Sequence, residues 1–160
     1  MDLLLANPVP RRRVVLQKSL AFLLGTIVIG IGMWLGAAAG ALAVDVDLDL
    51  GLVAQALVSV LLLGLAFGGL ALALGALTGR RWLAAGVSLM VAIASFFVNG
   101  LGALVDWLEP WRPLSPFYMY IANDPLTNGI DPVHALVLIG WAVAGVIVAV
   151  VAFERRDLAR

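Results

Sequence analysis

Residues 11–45 read RRRVVLQKSLAFLLGTIVIGIGMWLGAAAGALAVD. Three arginines and Lys18 crowd the start of this stretch, and no further charge occurs until Asp45. The uncharged run from Leu20 to Val44 would extend roughly 37 Å as a helix, enough to cross a hydrocarbon layer about 30 Å thick. A cation at the centre of such a helix costs about 2.5–3.5 kcal/mol on insertion scales, so the basic cluster marks where the chain stays in water. The run is also longer than the apolar core of a secretory signal, roughly 7–15 residues, and reads as a retained anchor.

Three more runs share this character: Leu52 to Thr78, Trp82 to Val105 directly after Gly79-Arg80-Arg81, and Val133 to Phe153 with His134 near its start. Within lipid, only helices and closed barrels satisfy their own backbone hydrogen bonds, and none of the runs alternates with period two. The sequence therefore predicts an all-α integral membrane protein with four transmembrane helices. Composition agrees: 63% of residues are hydrophobic, only 12% are charged, and the mean hydropathy is +1.08. A soluble domain carries about 25% charged residues. The absence of cysteine excludes disulfides, thiolate metal sites and thiol nucleophiles. A formal net charge of zero gives no global field for nucleic acid.

Four crossings place Arg11, Arg12, Arg13, Lys18, Arg80, Arg81, Arg155, Arg156 and Arg160 on one side, against Arg112 alone on the other. The positive-inside bias then puts both termini in the cytoplasm. The chain divides as a single membrane domain over 1–160. A cytoplasmic interfacial segment at 1–19 precedes spans at 20–44, 52–78, 82–105 and 133–153, and the tail is 154–160. The short links at Asp45 to Gly51 and Gly79 to Arg81 make their flanking helices antiparallel neighbours. The external segment 106–132 holds five prolines, which break any continuous helix. Its aromatic residues Trp107, Trp111, Phe117, Tyr118 and Tyr120 suit the headgroup region, so short helical pieces lying on or dipping into the outer leaflet are expected there. Gly32, Gly36 and Gly40, and likewise Gly64 and Gly68, recur at four-residue spacing, which lets membrane helices approach closely.

Chemistry is sparse. No G-x-x-x-x-G-K-[ST] phosphate loop occurs, and the only lysine, Lys18, lacks the glycines that would serve it. Asp45, Asp47 and Asp49 read as a solvated turn and His134 as a capping or interfacial residue, so no metal site is expected. Apart from His134 at the outer end of the last, the spans carry no ionisable group for proton coupling; polar residues within them include Gln55, Ser59, Ser88, Ser95 and Asn99, which can bond between helices.

Both flanks carry a resemblance. DLLLANPVPRRRVVLQKSLA resembles the segment leading into the third helix of type-2 ABC exporter permeases. PLSPFYMYIANDPLTNGIDPVHAL is similar to the segment before their last helix, and VAFERRDL to their common ending. The resemblance covers nearly the whole chain. It implies a non-enzymatic permease component of an ATP-driven exporter in the plasma or inner membrane. Such a component pairs with a separate ABC ATPase subunit, which binds ATP and magnesium, and with a second permease copy or homologue, all within membrane lipid. It also implies that Asn7, Pro8, Val9, Arg11, Arg12 and Arg13 belong to the element that docks on the ATPase, and that the segment 106–132, with Trp107, Trp111, Phe117, Tyr118 and Tyr120, corresponds to re-entrant helices that cap the pathway. The family has six spans and this chain four, so a truncated or partial permease that does not transport alone is expected. The other reading of the same topology is a small four-helix scaffold, accessory subunit or pore unrelated to ATP.

Overall fold

Apolar stretches free of charge and proline become long helices in the computed structural model, which describes residues 11–155. In chain order these are α1 (Arg11–Val44), α2 (Leu50–Thr78) and α3 (Arg81–Leu101), then a 3₁₀ turn at Glu109–Leu114. A short α4 (Pro116–Ile121), a wide π-type turn at Asp124–Asn128 and α5 (Pro132–Arg155) follow. No strand occurs among the described residues. α1, α2, α3 and α5 are each long and apolar enough to cross a membrane.

α1 runs 34 residues, roughly 50 Å at 1.5 Å per residue, and so exceeds the hydrocarbon layer. Its first turns carry the basic residues, because no proline or glycine between Arg11 and Leu24 stops the helix. Residues 11–19 thus belong to the same continuous helix as the apolar run that follows them. α3 stops at Leu101, four residues short of the expected Val105. There Gly102 begins a turn in which the Leu104 N–H donates to the Leu101 carbonyl at 2.8 Å, and the Arg112 side chain lies against Gly102.

Polar residues at the helix ends satisfy the free backbone groups. Asp49 caps α2, its carboxylate accepting from the N–H groups of Gly51 at 2.8 Å and Leu52 at 3.1 Å. Asp131 does the same for α5, accepting from Val133 at 2.7 Å and His134 at 3.3 Å. Gly79 closes α2 with φ 68°, and its N–H donates to the Gly75 carbonyl at 2.9 Å. A side chain at that left-handed position costs about 1 kcal/mol. Gly79→Ala is accordingly expected to lower the thermal midpoint in detergent by a few degrees, and an unchanged midpoint would contradict the cap.

α2 lies at the centre and touches α1, α3, α4 and α5. It runs parallel to α5, its most extensive partner, whereas α1 and α3 flank it antiparallel. The closest α2–α5 approach is at Gly69 and Gly145: a Cβ on Gly145 would fall on the Gly69 backbone, and one on Gly69 would sit 2.8 Å from the Ala142 carbonyl oxygen. Lipid provides no hydrophobic drive between helices, so such contact, backbone against backbone, is the main source of dispersion contacts. One core cluster, Val15, Ala76, Ala149 and Ala152, joins the start of α1 to the ends of α2 and α5. Arg13, Lys18, Arg80 and Arg81 therefore share one end of the bundle, and the aspartates of the two longer links share the other.

Candidate functional site

The helix ends are staggered at the acidic end. With Gly145 on Gly69, α5 begins level with about Ala56 of α2, roughly 9 Å below Leu50. α3, whose Ala84 faces Gly75, ends at a similar depth. Residues 102–131 fill the recess that α2 overtops.

Three fastenings hold this segment in place. Ser115 is buried, with its hydroxyl donating to the Ser95 carbonyl at 2.8 Å and accepting from the Phe117 N–H at 3.2 Å. Ser95 lies six residues before the end of α3, roughly 9 Å along the helix, so the segment dips between the spans. The Phe117 ring then sits 5.7 Å from Phe67 of α2 and 5.6 Å from Phe96 of α3, centroid to centroid. At the far side, Gln55 of α2 accepts from the Ile130 N–H at 3.0 Å. Gly129, at φ 76°, passes so near that a Cβ there would strike the Gln55 amide. Asn123 donates to the Gly129 carbonyl at 3.1 Å, and Asn128 to the Asn123 carbonyl at 3.0 Å, which holds the wide turn closed.

The five expected aromatics divide into two groups. Trp107 and Trp111 stand outside, 72% and 57% exposed, where an interface would receive their rings. Phe117 and Tyr120 turn inward against Leu63, Ala66 and Leu138. Tyr118 sits in a polar stack: the Arg112 guanidinium carbon lies 5.6 Å from its ring centre, and the His134 ring meets it edge-on at 5.9 Å. His134 Nδ1 in turn lies 3.7 Å from the Asp131 carboxylate. Arg112, the one cation at this end among the described residues, is thus held by an aromatic face.

The basic end is built differently. Here α1 and α3 stand apart across α2 and leave an apolar cleft of about 660 Å³. Its floor is a small-residue strip on α2 that includes Gly68, Ala71 and Gly75, and Phe22 of α1 overhangs it. Among the described residues, Lys18 of α1 and Arg81 of α3 are the only charged ones on its walls, and both are exposed. Among the described residues, no three acids or histidines converge as metal ligands.

Asn7, Pro8 and Val9 lie outside the described residues; Arg11 and Arg12 begin α1, and Arg13 is exposed in its first turn. Of the glycines at four-residue spacing, Gly68 packs on the Phe22 ring, whereas Gly32, Gly36, Gly40 and Gly64 meet no neighbour within 4 Å. Spacing did not mark Gly69 and Gly145, since neither belongs to a four-residue series that would single it out. Ser115 was missed too, because a serine between prolines looks like loop. Gln55 was visible as a polar group in a span, but its partner lies 75 residues away.

A family model described as "ABC-2 family transporter protein" matches residues 1–158. No curated protein and no solved structure matches the chain.

Proposed function

Because this chain belongs to the ABC-2 transporter family, we propose that it is a membrane permease component of an ATP-driven exporter, forming part of the translocation pathway and coupled to a separate ATPase subunit. The observation that carries this reading is the family match along residues 1–158, on a bundle whose four long helices can each span a membrane. The unequal ends support it. Packed side chains plug the acidic end at Ser115 and Phe117, while the basic end keeps an apolar cleft. A machine that alternates access needs two states of this kind, and a ligand that binds one more tightly shifts the balance.

In this reading the basic end faces the cytosol of a plasma or inner membrane, following the positive-inside bias. The ATPase docks on the stretch from Asn7 to Arg13, and nucleotide-driven closure of the ATPase supplies the energy. That matches a chain whose sequence has no phosphate loop of its own. A second permease copy or homologue completes the pathway, and the open Gly32, Gly36 and Gly40 face of α1 offers one surface for it.

Affinity capture of the tagged full chain from its native membrane tests the coupling. An ATPase bearing a phosphate loop is expected to co-purify, and to be lost when Arg11, Arg12 and Arg13 are all changed to Glu. Retained association in that variant would overturn the docking assignment. Uniform self-association with no ATPase captured would favour the scaffold reading instead.

A further inference from the structure

We infer that the cleft between α1, α2 and α3 is a binding site for an anionic phospholipid of the inner leaflet, with its acyl chain on the α2 floor and its phosphate between Lys18 and Arg81. The inference goes beyond export: its choice of leaflet rests on the orientation proposed above, but it does not depend on which cargo the protein moves.

Three observations converge on this occupant. The cleft, at about 660 Å³, lies in the range of about 300–1,000 Å³ typical of sites for small molecules. Beyond Gly68, which the Phe22 ring covers, the small residues Ala71 and Gly75 leave a channel on α2 without polar side chains to satisfy. A slender hydrocarbon chain lying along a helix suits that channel, and a polar solute does not.

The charge is equally selective. Lys18 and Arg81 come from different helices on opposite walls, and no acid among the described residues lines the cleft. Neither makes an ion pair with a described residue, although Arg81 lies 5.7 Å from the Trp82 ring centre. Glu154, the acid of this end among the described residues, is exposed and does not line the cleft. Two cations flanking an apolar channel match a lipid whose headgroup is a monoanion and whose remainder is hydrocarbon. Basic pockets between membrane helices on the cytoplasmic side are where anionic headgroups bind, each cation contributing about fivefold in affinity near the surface. Trp82 stands 82% exposed beside the mouth, at the level where an indole ring favours the headgroup layer.

Native mass spectrometry of the full chain, released from nanodiscs of phosphatidylglycerol and phosphatidylcholine with identical acyl chains, provides the test. One phosphatidylglycerol is expected to stay bound in preference to phosphatidylcholine. Lys18→Gln or Arg81→Gln should each cut that preference about fivefold, and the double variant about 30-fold. Arg80→Gln, next to the cleft but not on its walls, should leave the preference within about twofold, which separates a built site from a general basic surface. Ala71→Leu keeps both cations but fills the channel, and is expected to lose the retained lipid. Equal retention of the two lipids, an unaltered preference in the double variant, or displacement by soluble glycerol phosphate would each overturn the proposal. So would a preference that emerges only after residues 1–10 are deleted, since the chain's own terminus would then be the occupant.

Discussion

Gly145→Leu is expected to unseat α5 from α2 and to lower the thermal midpoint of the detergent-solubilised protein by about 10 °C. The added Cβ would fall on the Gly69 backbone, where no flexible side chain can swing aside. The helices must separate, and the dispersion contacts from Leu63–Leu138 down to Ala76–Ala149 loosen together. Overpacking in a closely packed core costs about 1–3 kcal/mol, and a clash with main chain belongs at the upper end. At about 2–4 °C per kcal/mol for a chain of this size, the shift follows. Gly36→Leu is the matched control, because a Cβ there meets nothing within 4 Å. Its expected effect on the isolated chain is within about 0.5 kcal/mol. A Gly145→Leu midpoint equal to that of the wild type would contradict the parallel α2–α5 pair.

Phe117→Ala is expected to loosen the plug at the acidic end. Phe117 fills the gap between Phe67 and Phe96 and touches the cluster around Leu138. Fully buried phenylalanines cost about 3–5 kcal/mol when cut to alanine; this one is half-buried, so about 2–3 kcal/mol is expected. Because the chain has no native cysteine, the single substitution Ser95→Cys reports directly on the plug. The hydrogen bond at that position uses the Ser95 backbone carbonyl, which the substitution preserves. A membrane-impermeant thiol reagent should label the Ser95→Cys chain slowly while the plug is intact. Adding Phe117→Ala should raise that rate at least about tenfold, consistent with an opening made easier by about 1.4 kcal/mol or more. Equal rates would show that Phe117 does not close this end.

The four spans were legible in the sequence because a membrane helix must satisfy its backbone internally and exclude charge over its whole length. That demand leaves runs such as Leu52 to Thr78, whose limits α2 reproduces within two residues. Packing was less legible, for a physical reason. Any glycine permits close approach, but only the partner's position decides which one is used. Gly32, Gly36 and Gly40 present a regular face that none of the described residues covers, while Gly69 and Gly145 carry the contact. The capping residues split the same way. Asp49 sits directly before its helix and announces its role, whereas Gln55 braces a backbone N–H far along the chain. The cleft combined both problems, since Lys18 and Arg81 come to line one cleft only after α1 and α3 are set on either side of α2.

Four crossings with the basic end in the cytosol underlie every functional statement above, and cysteine accessibility in intact cells tests them most directly. The single variants Asp47→Cys and Thr127→Cys are expected to react with a membrane-impermeant maleimide in intact cells, and Arg80→Cys only after permeabilisation. Protection of the Asp47→Cys thiol, or labelling of the Arg80→Cys thiol from outside, would contradict the account.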